Sequence, residues 1–246
     1  GSARNGAVGM ATSTKGYIGT GYDSSSKLKD FYEYDPETNT WTQKADFGGS
    51  ARYGAVGFAI NDKVYIGTGY DTNFLKDFWE YNPSTDEWIQ KVSIGGSKRR
   101  DATGFSMNGK GYILTGVDNG TYESDFFEYD PTTGLWKKLS SIANVSEDDF
   151  DDEYTTLTGT NKVTFAINGK GYLVTGGSGT VGNNVWEWDP ETDLWTEKTA
   201  FEGAARTEAA GFSIGNRGYL TTGKSSSYYF DDILAFDPDD EYSEYD

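Results

Sequence analysis

The residues best placed to do chemistry are four arginines. Each stands thirteen residues before a recurring tyrosine: Arg4, Arg52, Arg99 and Arg206 before Tyr17, Tyr65, Tyr112 and Tyr219. The tyrosine recurs once more, at Tyr172, where the arginine position holds Gly159. A guanidinium offers a planar fork of donors that grips a carboxylate or another anion bidentately. Four of them in equivalent positions could therefore line an anion site. The same fork also makes structural ion pairs. The aspartate six residues before each repeated proline, at Asp30, Asp77, Asp125 and Asp232, is a candidate partner. That position is Asn184 in the repeat that lacks the arginine, and the joint loss favours pairing within a repeat.

Acids are plentiful and other catalytic side chains are not. The 246 residues carry 39 Asp and Glu against 21 Lys and Arg, a net charge of −18, with no histidine and no cysteine. This rules out Ser-His-Asp and Cys-His dyads, thiol nucleophiles, disulfides and thiolate metal sites. The missing cysteines do not locate the protein in any redox compartment. A polyanion is repelled by nucleic acid and anionic membrane surfaces, so neither is an expected partner. Asp101 and Glu208 could act as the paired carboxylates of a glycosidase, but only at a suitable separation. The run Glu147, Asp148, Asp149, Asp151, Asp152, Glu153 is a weak calcium candidate. Its spacing is not that of an EF-hand, and a solvated, mobile loop is the favoured reading. Otherwise no metal and no cofactor is expected. This run and the tail 237–246 hold twelve acids and no bases. Without them the balance is 27 to 21, so the rest of the chain is only mildly acidic.

An internal repeat must position these groups. The five prolines, Pro36, Pro83, Pro131, Pro190 and Pro238, all follow Asp or Asn, spaced 47, 48, 59 and 48 residues apart. Tryptophan follows five residues later at Trp41, Trp88, Trp136 and Trp195, while the fifth slot holds Ser243. Each repeat reads as four short antiparallel strands. In repeat two the first is Ala55-Val56-Gly57-Phe58-Ala59-Ile60 and the second Val64-Tyr65-Ile66-Gly67-Thr68. Asn108-Gly109 and Asn168-Gly169 are hairpin signals between such strands. Small residues in the first strand suit close approach near an axis, and the tryptophan series suits the packed core. The class is all-β, a radial propeller of five repeats with very little helix. The repeats fall at about 3–50, 51–98, 99–158, 159–204 and 205–246 of one domain, with an acidic insertion at 146–158. No run reaches the roughly 20 apolar residues of a membrane span.

Glu-Tyr-Asp-Pro, as at Glu33-Tyr34-Asp35-Pro36, the tryptophan five residues after the proline and the small pair closing the second strand resemble kelch repeats. The usual Gly-Gly pair is Thr-Gly throughout, at Thr20-Gly21, Thr68-Gly69, Thr115-Gly116, Thr175-Gly176 and Thr222-Gly223. The wording Gly-Tyr-Ile-Gly-Thr-Gly-Tyr-Asp, with Asp-Phe-Trp-Glu-Tyr, is similar to secreted kelch-repeat proteins of the Bacteroidetes type, which are often lipid-anchored. The resemblance implies an extracytoplasmic place, periplasmic or at the cell surface, with a lipid anchor on a missing N-terminal segment. It also implies six or seven blades, so a missing N-terminal segment is expected to supply a closing strand or a sixth repeat, with a five-bladed ring as the competing reading.

In kelch proteins the arginine position lies at the mouth of the central channel, which makes Arg4, Arg52, Arg99 and Arg206 candidate ligand-binding residues. The positions after them differ between repeats: Tyr53, Arg100 with Asp101, and Glu208. The loops after the second strands begin Tyr22-Asp23, Tyr70-Asp71 and Asp118-Asn119 and should share the same face. This mixed polar and aromatic rim suits a peptide or sugar. The expected function is a non-catalytic module binding a protein or glycan. The alternatives are a carbohydrate-active enzyme of sialic-acid mutarotase or lyase type, and a structural subunit of a cell-surface complex. A kelch copper oxidase is excluded, because its tyrosyl-cysteine and histidine ligands have no counterpart.

Overall fold

A computed structural model describes residues 1–239. The chain forms two compact units, Gly1–Leu139 and Ser140–Asp246. The first holds three sheets, each four antiparallel strands in chain order. They are Val8–Ala11, Gly16–Gly19, Phe31–Asp35 and Thr40–Lys44 (blade 1), then Val56–Ile60, Lys63–Gly67, Phe78–Asn82 and Glu87–Lys91 (blade 2). Blade 3 is Thr103–Met107, Lys110–Leu114, Phe126–Asp130 and Leu135–Lys138, with a small hairpin at Val117–Asp118 and Thr121–Tyr122. The second unit holds Val163–Ile167, Lys170–Val174, Val185–Asp189 and Leu194–Lys198 (blade 4). Blade 5 has Ala210–Ile214, Arg217–Thr221 and Ile233–Phe236 among the described residues. Its fourth-strand slot at Ser243, and most of the acidic tail, lie outside the described residues. Among the described residues these are five blades, one for each sequence repeat. No helix among the described residues is long and apolar enough to cross a membrane.

Local chemistry explains the blades. Asn108-Gly109 and Asn168-Gly169 turn with positive φ at both residues, as a two-residue hairpin requires. At each proline turn the preceding Asp or Asn accepts the backbone N–H two residues on: Glu37 to Asp35, Ser84 to Asn82, Thr132 to Asp130, Glu191 to Asp189. In blades 1 to 4 the recurring tyrosine donates to the glutamate three residues before the proline, on the neighbouring strand, for example Tyr65 to Glu80 at 2.9 Å and Tyr172 to Glu187 at 2.6 Å.

Blades pack through alternating residues. In blade 2, Val56, Phe58 and Ile60 are buried and join a cluster with Ile113, Phe127 and Tyr129 of blade 3. Gly104 makes room for this contact, since a Cβ there would sit 2.6 Å from Val56 Cγ2. Trp88 meets Phe31 edge-on at 5.0 Å, and Trp136 meets Phe78 at 4.9 Å. Each tryptophan thus packs on the phenylalanine of the preceding blade. Trp195 is also buried. Trp41 corrects the expectation of a uniform core series: it is 56% exposed and, among the described residues, its ring meets that of Tyr34 of its own blade at 5.0 Å. No earlier blade of its unit lies against it.

The acidic insertion also differs from a purely solvated loop. It contains a single 3-10 turn, Asp149–Asp151, and Asp151 is buried. The Asp151 carboxylate accepts the N–H groups of Val145 and Ser146 and the Ser146 hydroxyl. Tyr154 and Leu157 then bury behind it. One carboxylate with three local donors orders the segment despite its charge. Among the described residues no group of three or more acids is arranged to hold a metal ion, so Glu147, Asp148, Asp149, Asp151, Asp152 and Glu153 do not form the calcium cluster their sequence hinted at.

Candidate functional site

The arginine series is held inside the blades. Arg52 is fully buried and meets Asp77 fork to fork, with Nη1–Oδ1 at 2.6 Å and Nη2–Oδ2 at 2.8 Å. Arg206 pairs with Asp232 and Arg99 with Asp125, both at 2.5 Å, and Arg4 pairs with Asp30. The pairs hold the Asp30 and Asp232 carboxyls below the usual range, through hydrogen bonds from Arg4 and Arg206.

A second bond fixes each guanidinium. Nη1 donates to the carbonyl of the Thr-Gly threonine: Arg4 to Thr20 at 3.0 Å, Arg52 to Thr68 at 2.9 Å, Arg99 to Thr115 at 3.1 Å and Arg206 to Thr222 at 3.2 Å. All five of these threonines have φ between 56° and 62°. A β-branched residue rarely adopts this left-handed conformation. The arginine therefore serves the repeat, bracing a strained strand end against its aspartate.

What remains accessible lies just beyond the arginines. In unit 1, Tyr53 bridges to Tyr70, and Asn5 to Tyr22. The rings form a contiguous series, Tyr22 to Tyr53 at 5.9 Å, Tyr53 to Tyr70 at 5.6 Å and Tyr70 to Phe74 at 5.1 Å. The Arg100 guanidinium stands within 5.6, 5.8 and 6.0 Å of the Tyr53, Tyr70 and Phe74 ring centres. It also lies 3.5 Å from the Asp101 carboxylate. The Arg100 side chain is 34% exposed, whereas that of Arg99 is not exposed at all. One residue thus separates a structural arginine from an available one. Asp101 has φ 54° and its carboxylate covers Gly54, whose backbone N–H donates to Gly6 and whose carbonyl accepts from Asp101. These bonds tie blades 1, 2 and 3 together beside the aromatic series.

The remaining candidates are not drawn into this cluster. The Asp23 carboxylate accepts the Ser25 and Ser26 N–H groups, and Asp71 accepts that of Asn73, so both shape their own loops. Asp118 accepts from the Asn119 side chain in the small hairpin. Glu208, in unit 2, pairs with Lys224 at 2.8 Å. It borders an open cavity of about 270 Å³ with Thr222, Gly223, Lys224, Tyr229 and Phe230.

The family described as "KLHDC2/KLHL20/DRC7 Kelch-repeats domain" matches residues 2–150. The chain belongs to the kelch-repeat family. A solved structure described as "Structure of YjhT" is similar to this kelch chain over 95% of each chain, with a TM-score of 0.70 and 15% identity. At that identity the likeness shows the fold. No curated protein matches the chain significantly.

Two residues of this kelch chain escape the sequence reading. Phe74 completes the aromatic series from a loop with no repeat marker. Lys162 lies in blade 4, where the arginine is Gly159. Its Nζ donates to the Thr175 carbonyl at 3.1 Å, the bond that arginine makes in the other four blades. The available signal was its slot: ten residues before the repeat tyrosine stand Ala7, Ala55, Ala102 and Ala209, and Lys162 only here.

Proposed function

We propose that this kelch chain is a non-catalytic binding module acting outside the cytoplasm. It takes a protein or glycan ligand on the surface made by Tyr22, Tyr53, Tyr70, Phe74, Arg100 and Asp101. The carrying observation is the partly exposed Arg100 guanidinium set among three aromatic rings. Tyrosines supply large, stiff contact area at little entropic cost, and a desolvated arginine beside them is a frequent binding hot spot. Flat rings suit the apolar face of a sugar or a peptide side chain, and Arg100 adds a directional donor set for a polar or acidic group. The extracytoplasmic place rests on the resemblance to secreted kelch proteins.

Glycan-array and peptide pull-down screening with the native chain tests this reading, repeated with Arg100→Ala and Tyr53→Ala. Both variants should keep the parental melting temperature to within a few degrees and lose at least tenfold in affinity for whatever ligand the screen finds. Undiminished binding in both would sink the assignment of the site.

A further inference from the structure

Blade 4 keeps a buried cation but not its anion. In blades 1, 2, 3 and 5 an arginine braces the Thr-Gly carbonyl and is neutralised by Asp30, Asp77, Asp125 or Asp232. In blade 4 Lys162 braces the same carbonyl from another slot and is only 8% exposed. The aspartate position holds Asn184, whose backbone keeps the common register, since its carbonyl accepts the Thr175 N–H at 3.2 Å as that of Asp77 accepts from Thr68 at 3.1 Å. The Asn184 amide donates outward, to Glu197 Oε1 at 2.8 Å. Among the described residues no carboxylate lies within ion-pairing distance of Lys162, and burial pushes its amine down to about 8. A buried charge without a counterion is costly. Gly176 lies against the lysine stem, and a Cβ there would sit 2.6 Å from Lys162 Cγ.

We propose that blade 4 holds an anion-binding site, in which the Lys162 ammonium receives the carboxylate of an acidic ligand where the other four blades supply an aspartate of their own. The site is independent of the aromatic surface in unit 1, because it is built wholly from residues of blade 4. The recognised chemistry is a single carboxylate. An acidic sugar and an acidic peptide side chain both carry one.

The test is made on the full chain with lysines labelled at ¹³Cε, the Lys162 signal being assigned by its loss in Lys162→Met. Acetate is the minimal probe, with chloride at matched ionic strength as the control. Glucuronate and an N-acetylated, C-amidated aspartate distinguish the two sources. The expected result is a saturable shift of the Lys162 signal with acetate, a rise of its apparent pKa by about one pH unit, and tighter saturation with one of the two larger probes. Asn184→Asp should raise that pKa without any probe, raise the melting temperature and abolish the acetate response. A Lys162 signal that does not saturate with acetate or with either larger probe overturns the proposal. So does an acetate response that Asn184→Asp leaves intact.

Discussion

The Thr68 carbonyl accepts a hydrogen bond from Arg52 Nη1 at 2.9 Å while the Thr68 N–H donates to the Asp77 carbonyl at 3.1 Å. One residue in a left-handed conformation is thereby held from both sides by the two members of an ion pair. Because Arg52 is fully buried, removing it leaves Asp77 facing a cavity and the Thr68 carbonyl without its donor. Arg52→Ala should cost about 3–5 kcal/mol, the range for breaking a buried pair. Joint replacement, Arg52→Met with Asp77→Leu, should recover a large part of that loss. Urea denaturation of the three proteins gives both figures.

Thr68 itself stores strain. Its φ is 58°, its side chain is fully buried and its hydroxyl finds no partner. Thr68→Gly removes a left-handed penalty of about 1–2 kcal/mol and an unsatisfied hydroxyl worth about 1–3 kcal/mol. Against this stand the lost methyl, about 0.8 kcal/mol, and the greater chain entropy of glycine, about 0.5–1 kcal/mol. The variant should therefore be more stable by about 2 kcal/mol. A lower denaturation midpoint would show that the threonine methyl matters more than its backbone strain.

Equal sequence positions do not carry equal energies. Trp88 packs between Phe31 and Phe47, with centroids 5.0 Å from each, whereas Trp41 is 56% exposed. Trp88→Ala should cost about 3 kcal/mol, and Trp41→Ala less than about 1 kcal/mol. Comparable losses in the two variants would contradict the exposure of Trp41.

The same contrast marks what was legible in the sequence. The prolines, tyrosines and Asn-Gly turns act locally, so their spacing sufficed to define strands, hairpins and the five repeats, whereas it left five and six blades open. The Arg–Asp pairing was also within reach, because both members vanish together at Gly159 and Asn184. The exposure of Trp41 was not, since burial depends on which blade lies against it and not on its own repeat. Nor was Lys162, which reaches the Thr175 carbonyl from a different slot and so breaks the register that made the arginines visible. The order of the insertion rests on the position of Asp151 relative to three donors, which composition does not encode. The proposed binding surface combines Tyr53 and Arg100, which hold the same slot in adjacent blades, with Tyr70 from the loop after the second strand. Repeat logic pointed to its loops but could not say that Arg100, one residue past Arg99, is the exposed arginine.

Acid and base limbs of stability should separate by residue. The Asp30 carboxyl is held low by its hydrogen bond from Arg4, so its contribution is complete above the ordinary aspartate range and is lost as pH falls through the lowered value. Glu123 behaves oppositely. Its side chain is only 11% exposed, and burial pushes its carboxyl up despite Arg99 at 3.9 Å. The folded state then holds its proton more tightly than the unfolded chain does. Its contribution is present below the unfolded value of about 4.3 and is lost as pH rises through the raised one. Glu123→Gln keeps the shape without the ionisation. It should melt above the parent at pH 7, with the gap closing below about pH 4, where the parental carboxyl is protonated in both states. Asp30→Asn should melt below its parent at pH 7, and that deficit should shrink as the medium is acidified. Thermal melts across this range distinguish the two, and a Glu123→Gln protein less stable than the parent at pH 7 would mean that attraction to Arg99 outweighs burial.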